Sequence, residues 1–178
     1  MRTWERADDR REQILTAAIA EFAARGLRGA SIEAVAAQVG VSQPYVYKLF
    51  GTKKELFLAA MARVRERVQV VFREAAATDP THPLAAMARS YDRSRFGCTE
   101  RLMLLQGFAA ADDAEVREAV GDGYAALWRF VQKTSGASDD EVFAFFAAGM
   151  LLTVDAAIGL MERLRQGETP DEQQAAEE

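Results

Sequence analysis

The spacing of apolar residues constrains the fold of this chain most strongly. Apolar side chains recur every three or four residues almost from end to end, as in the run Ile14, Leu15, Ala18, Ile19 and Phe22. This period places them on one face of an α-helix, whereas a half-buried strand would need strict alternation of apolar and polar residues. No segment shows a convincing alternation. The sequence therefore predicts an all-α fold with about eight or nine helices.

Capping residues and helix breakers divide the pattern into eight segments. Asp9 and Glu12 have the spacing of a capping box at the start of the first helix, and Gly26 offers a stop for it. Thr52 and Glu55 form a second capping box, which opens a long helix of about 37 Å at roughly 1.5 Å per residue. The predicted helices cover about 9–24, 31–39, 42–50, 52–77, 84–96, 100–110, 113–134 and 139–166.

The second and third segments have the pattern of a helix-turn-helix. Ala36 supplies the small residue that two closely crossing helices need, and Gly40, four positions later, can adopt the positive φ angle of a tight turn. Six positions further on, Val46 places an apolar side chain on the second helix. Ser42 is a good N-cap for that helix, and Pro44 lies in its first turn, where no backbone donor is missed. An arbitrary helical hairpin remains the alternative.

The charge of the chain is distributed unevenly. The net charge of −5 argues against a nucleic-acid partner for the chain as a whole. Residues 1–55, however, carry nine lysines and arginines against seven acids, whereas the remaining 123 residues carry 13 basic and 20 acidic side chains. A weakly basic head on an acidic body permits DNA binding at one end.

The segment 22–57, FAARGLRGASIEAVAAQVGVSQPYVYKLFGTKKELF, resembles the N-terminal domain of TetR-type regulators. The phrase FFAAGMLLTVDAAIGL is also similar to the closing segment of one short branch of that family. With this resemblance we expect a DNA-binding domain over 9–55 and a ligand-binding and dimerisation domain over 56–167. The polar composition of 168–178 predicts a disordered tail. The resemblance also implies a homodimer that acts as a repressor and is released from operator DNA by a small molecule. The single cysteine, Cys98, cannot form an intramolecular disulfide and favours the reducing cytoplasm.

The expected DNA contacts lie on the predicted third helix and at nearby helix starts. Gln43 can bond an adenine edge in the major groove, and Pro44 and Tyr45 could meet a thymine methyl. The resemblance implies that Tyr47 and Lys53 contact phosphates. For each residue, an ordinary cap or a solvated side chain is the alternative. The complete predicted set is Arg28, Ser31, Ser42, Gln43, Pro44, Tyr45, Tyr47, Lys48, Thr52 and Lys53.

The most apolar stretch lies near the C-terminal end of the body. The twenty residues 142–161 contain a single charge, Asp155. A dimer interface, a plain core helix and a membrane span are the three interpretations, and the charge near the middle disfavours the span because it costs about 2.5–3.5 kcal/mol on insertion. We expect a dimer interface across a two-fold axis, and therefore no membrane partner. Its predicted residues are Phe146, Met150, Leu151, Val154 and Ile158.

The resemblance also implies a ligand cavity among the middle helices. Methionine and aromatic residues there are its candidate lining, with an ordinary core as the alternative. Asp92, Arg95 and Gln106 are candidate polar anchors, unless they are simply solvated. The predicted lining is Met87, Tyr91, Phe96, Met103, Phe108, Tyr124 and Trp128.

Enzymatic interpretations find little support in the sequence. His82 and Cys98 are the only histidine and cysteine, which excludes a multi-His or multi-Cys metal site within one chain. Neither a phosphate-binding glycine loop nor a nucleophile elbow is present. We therefore expect no enzyme, no cofactor and no metal. The alternative to a DNA-binding regulator is a helical protein that binds or sequesters a small molecule without binding an operator.

Overall fold

The computed structural model describes residues 2–91 and 96–167, with side chains from residue 9 onward, and these residues form nine helices and no strand. The all-α prediction is confirmed. The helices are α1 (Arg2–Gly29), α2 (Ile32–Gln38), α3 (Gln43–Phe50), α4 (Lys53–Thr78), α5 (Pro83–Ser90), α6 (Cys98–Ala109), α7 (Ala114–Ser135), α8 (Asp139–Ile158) and α9 (Leu160–Gly167).

The first helix departs from its prediction at both ends. It already includes Arg2, so Asp9 lies inside the helix and the predicted capping box at Asp9 is wrong. Gly26 does interrupt the helix, with φ 68° and ψ 176°, but a further turn follows and the element ends at Gly29. A glycine can adopt this backbone conformation without a Cβ clash, so the chain changes direction here without an intervening loop.

The head is built on a small apolar core shared by α1, α2, α3 and the start of α4. Phe22, Val35 and Val46 are buried within it, and Phe22 meets Phe57 of α4 edge to face, with ring centroids 5.1 Å apart. Apolar burial of this kind is the main force that holds such short helices in place, since α2 and α3 are too short to be stable alone.

The long helix α4 joins the head to the body. It starts at the predicted Thr52–Glu55 capping box, which is present, and its apolar stripe is buried as far as Ala76. The helix packs against α1 in the head and against α5, α6 and α7 in the body. Helix α6 packs against α1 as well, so head and body are in contact along two routes.

The C-terminal segment contains two helices where the sequence predicts one. Gly159 adopts a left-handed conformation, with φ 63°, and ends α8; α9 follows directly. The predicted helix over about 84–96 is also shorter, because α5 ends at Ser90. The predicted disordered tail, 168–178, lies outside the described residues.

Candidate functional site

The turn between α2 and α3 has the geometry that the sequence predicts. Gly40 has φ 68°, and the amide of Val41 donates a hydrogen bond of 3.0 Å to the carbonyl oxygen of Ala36. Ala36 and Val46 are both almost fully buried, at 2% and 1% exposure. Because the turn and the helix crossing are both fixed, α3 is held in one orientation on the head.

The outer face of α3 is open to solvent. The side chains of Gln43, Pro44, Tyr47 and Lys48 are exposed, and Tyr45 is half-buried against the head core. An exposed carboxamide, an aromatic hydroxyl and an ammonium group on one short helix provide donors for base edges and phosphates. Four of the five predicted contacts on α3 are thus free to meet DNA, while Tyr45 offers only part of its ring.

The predicted phosphate contacts at helix starts differ in the hydrogen bonds that their hydroxyl groups make within the protein. The hydroxyl of Ser31 accepts from the amide of Ala34 at 3.2 Å, whereas that of Ser42 makes no capping bond. The Thr52 hydroxyl accepts from the amide of Glu55, whose carboxylate accepts from the Thr52 amide at 2.7 Å. This backbone hydrogen bond lowers the pKa of Glu55. Of the three hydroxyl groups, that of Ser42 is therefore the one that can bind a phosphate without losing a capping hydrogen bond.

Two predicted DNA contacts also have partners inside the protein. The ammonium of Lys53 donates to the carbonyl oxygens of Arg28 and Ala30, at 2.9 and 3.3 Å. The guanidinium of Arg28 forms an ion pair with Asp112 of the α6–α7 loop. An ammonium has three donors, so Lys53 keeps one for a phosphate. The Arg28 side chain is 84% exposed, and its ion pair is correspondingly easy to exchange.

Behind the head, the body contains a cavity of about 740 Å³. It lies among α4, α6, α7 and α8, and most of its lining is apolar, including Phe72, Leu104 and Phe145. Small-molecule sites typically have volumes of roughly 300–1,000 Å³ and apolar walls with a few polar groups. The cavity therefore has the size and chemistry of a ligand site.

Three of the seven predicted lining residues do line this cavity, namely Tyr91, Phe108 and Tyr124. The Tyr91 hydroxyl lies 3.0 Å from that of Thr153, and both side chains are buried. Burial raises the pKa of Tyr91. The pair places two hydroxyl groups in an otherwise apolar wall.

The other four predictions need correction. Met87, Phe96 and Met103 are fully buried in the body core and do not line the cavity. Trp128 stacks on Phe146, with ring centroids 4.9 Å apart, and borders a shallow surface depression instead. Spacing along a helix identified these as apolar positions, but it could not show which neighbouring helix each one meets.

Comparison with known proteins bears most directly on the head. Residues 14–60 match the family described as "Bacterial regulatory proteins, tetR family". These residues therefore form a domain of the TetR type. A segment of 56 residues is also 43% identical to the HTH-type transcriptional activator FasR of Mycolicibacterium smegmatis. That match covers 32% of this chain and only 26% of the relative, so it concerns a minor part of each protein.

Solved structures extend the likeness in fold to the body. A structure from Rhodococcus sp., described as a TetR-family transcriptional regulator, superposes with a TM-score of 0.66 at 22% identity, covering 91% of this chain and 100% of that one. A transcriptional regulator structure from Pseudomonas aeruginosa PAO1 gives 0.62 at 22% identity, covering 92% and 83%. These similarities show that the TetR-type head and its helical body share one architecture with those proteins.

The outer face of α8 exposes apolar side chains. Leu151 and Ile158 are 45% and 51% exposed, and the predicted interface residues Met150 and Val154 are half-buried. Phe143, which the sequence prediction omitted, is 67% exposed on the same helix. Large apolar side chains in one exposed patch are typical of an interaction surface.

The prediction that Phe146 belongs to the exposed interface is wrong. Phe146 is only 8% exposed and packs inward against Tyr124 and Trp128 of α7. It also lines the cavity. The stretch is apolar all round, so the sequence pattern could not separate its inward face from its outward face.

Within the described ranges, α8 is the one helix long and apolar enough to cross a membrane by length and composition. In the same part of the chain, no group of three or more histidine, cysteine or acidic side chains is placed to hold a metal ion. The apolar composition of α8 is also explained by its buried residues Val142 and Phe146 on one side and its exposed apolar patch on the other.

Two cavity features were missed in the sequence. Arg65 lines the cavity from α4, and Gly123 faces it from α7. The signal for Arg65 is its position four residues after Met61 and three before Val68, where a charge interrupts an apolar helical face. Asp92 and Arg95, considered as polar anchors, lie outside the described residues, and Gln106 does not line the cavity.

Proposed function

We propose that this protein is a homodimeric, sequence-specific transcription regulator of the cytoplasm, released from its operator by a small molecule that binds in the body. The observation that carries the proposal is the position of α6. This helix contributes Leu104 and Phe108 to the cavity, while Gln106 reaches the head. One rigid element thus contacts both the ligand site and the DNA-binding domain.

The contact of α6 with the head lies at the break in α1. The side-chain amide of Gln106 donates to the carbonyl oxygen of Ala23 at 3.3 Å, and its oxygen lies where a side chain on Gly26 would stand. A ligand that displaces Phe108 would move this contact as well. The break in α1 is a natural place for the head to change its angle, since Gly26 is not held in helical geometry.

Ion pairs form a second link between head and body. Lys54, at the start of α4, bonds Asp113 at 3.3 Å and Glu115 at 2.6 Å. The hydrogen bond to Glu115 is the main reason that the pKa of Lys54 is raised. Arg28 pairs with Asp112 in the same loop. These pairs are exposed and individually weak, so they bias the position of the head rather than lock it.

Dimerisation would place two heads on one duplex. The exposed apolar patch of α8, with support from α7, would meet its own copy across a two-fold axis. Two copies of α3 would then enter successive major grooves, about 34–36 Å apart. A ligand that favours a different spacing of the heads lowers operator affinity by as much as its own affinity differs between the two states.

The direction of the regulatory effect is part of this proposal. We propose that the bound protein represses the genes beside its operator and that ligand release relieves this repression. The matched relative is described as an activator. Its match covers only 26% of that relative, so the likeness to FasR leaves our proposal of a repressor unchanged.

The test is hydroxyl-radical footprinting of the full-length protein on the DNA flanking its own gene. We expect two protected half-sites of related sequence, one helical turn or a multiple of it apart. Protection should fade when the protein's ligand is added. A protein that protects no site on this DNA, yet still binds small molecules, would favour the sequestering alternative.

A further inference from the structure

One arginine of α4 differs from its neighbours in having no partner. Arg63 forms an ion pair with Glu12 of α1 at 2.9 Å, and Arg67 forms one with Glu100 of α6 at 2.5 Å. Arg65 lies between them, on the side of the helix that lines the cavity. Within residues 9–91 and 96–167, its guanidinium makes no hydrogen bond or ion pair, although the side chain is half-buried.

The backbone of α7 makes room for this guanidinium. Gly123 is buried, and a Cβ atom added to it would overlap the Nη1 atom of Arg65. Any other residue at position 123 would therefore push the guanidinium aside. Glycine costs a helix interior about 1 kcal/mol relative to alanine, so this residue is unfavourable for α7 itself. It is favourable for placing a positive charge in the wall of the cavity.

The remaining lining defines the rest of the ligand. Among the lining residues that the structure describes, the charged groups are two arginines, Arg65 and Arg129, and one acid, Asp122, which together carry a net positive charge. Asp122 and Arg129 are exposed and mark the side that opens to solvent. The apolar walls, ending at the buried Tyr91–Thr153 pair, suit a long hydrocarbon body.

We propose that the cavity binds an amphipathic carboxylate, with its anionic head on Arg65 and its apolar chain among α4, α6, α7 and α8. A guanidinium presents a planar fork of donors that matches a carboxylate in two parallel hydrogen bonds, and these are stronger than neutral ones. The half-buried guanidinium lies beside apolar walls, where the lower effective dielectric strengthens the pair further. This inference rests on the cavity being the ligand site of the proposed function.

The experiment uses isothermal titration calorimetry on the full-length protein with three probes of equal chain length: decanoate, decan-1-ol and decylamine. We expect decanoate to bind most tightly and decylamine least. Arg65→Gln should weaken decanoate binding about tenfold or more, the usual effect of losing a charged hydrogen bond, and leave decan-1-ol unchanged. Arg63→Gln is the matched control, because Arg63 lies on the same helix outside the cavity.

A second variant tests position rather than charge. Gly123→Ala keeps every charge and improves the helix propensity of α7, but it displaces the guanidinium. The affinity of Gly123→Ala for decanoate should be lower than that of the wild type, whereas its melting temperature should not be lower. Equal affinity of wild-type protein for decanoate and decan-1-ol, equal losses for both probes in Arg65→Gln, or no binding of decanoate would overturn the proposal.

The probes are titrated without DNA, which separates this inference from the proposed function. If decanoate binds through Arg65 but does not remove the DNA footprint, the proposed ligand class is supported and the proposed release by a ligand is contradicted. A persistent footprint together with no decanoate binding would uphold DNA recognition and contradict the ligand class.

Discussion

The head and the body of this protein differ in how completely their cores are filled. In the head, Val35 and Val46 fill a small, closed core at 0% and 1% exposure. The body leaves a cavity of about 740 Å³ between its helices and exposes Phe143 and Leu151 on its outer face. A closed core fixes the orientation of α3, whereas an open one leaves room for partners. In the proposed function, the head accordingly recognises DNA, and the body accommodates a ligand and a second subunit.

The sharpest test of the body's outer face is a charge on α8. Leu151→Asp should dissociate the dimer, because a two-fold interface buries the new carboxylate twice, at several kcal/mol per dimer. Operator affinity should collapse with it, since one head holds only a half-site. Light scattering and operator binding are measured together.

The control for this variant is Val70→Asp. Val70 is 43% exposed, close to the 45% of Leu151, but it lies on α4 rather than on α8. We expect Val70→Asp to remain dimeric. If Leu151→Asp also stays dimeric and binds its operator normally, the interface lies elsewhere.

Matched alanine-to-leucine changes compare the two cores directly. Ala36 is buried where α2 crosses its neighbours, so Ala36→Leu should destabilise the protein by about 1–3 kcal/mol through overpacking. Ala62 lines the cavity, and Ala62→Leu should be near neutral because the added methyl groups enter open space. Chemical denaturation measures both. Equal losses would mean that the cavity is not open in solution.

A matched glycine pair separates stability from recognition. Gly40 and Gly136 have nearly the same positive φ, 68° and 66°, and neither has a heavy atom within 4 Å of an added Cβ. Alanine at either site should cost about 1–2 kcal/mol of backbone strain. Only Gly40→Ala should also weaken operator binding, since it re-aims α3. Equal effects on DNA affinity would show that the turn does not position the recognition helix.

The smallest expected effect concerns the dual use of Lys53. Lys53→Ala removes two internal hydrogen bonds and, in our proposal, one phosphate contact. The log–log dependence of DNA affinity on salt should flatten by about 0.9, the value for one phosphate on duplex DNA. The loss should be similar for all duplexes, because phosphates carry no sequence information. A drop in stability with an unchanged salt slope would make Lys53 a purely internal residue.

The head was far more predictable from the sequence than the body. Its signals are local: Gly40 for a positive φ, Thr52 and Glu55 for a cap, and Ala36 with Val46 at fixed spacing. The structure bears out each of these. Local rules of this kind depend on a few neighbouring residues, which a single sequence contains. The Asp9–Glu12 capping box is the exception in the head, because α1 extends past it to Arg2.

The body depends on contacts between distant helices. Helical spacing marked Met103 and Phe108 equally as apolar, yet only Phe108 reaches the cavity. It likewise placed Phe146 at the interface, although that ring faces inward. Arg65 and Gly123 lie 58 residues apart in the chain, and nothing in the sequence shows that they meet. Such pairs exist only once the helices have packed.

Binding-site selection from a random duplex pool tests the central claim most directly. The claim is that the exposed face of α3 reads DNA sequence, with Gln43 as its base-reading residue. Wild-type protein should enrich an inverted repeat, and Gln43→Ala should enrich the same repeat with one base pair per half-site relaxed, a loss of about 1–3 kcal/mol of discrimination. An identical consensus from both proteins, or no enrichment by the wild type, would contradict the account.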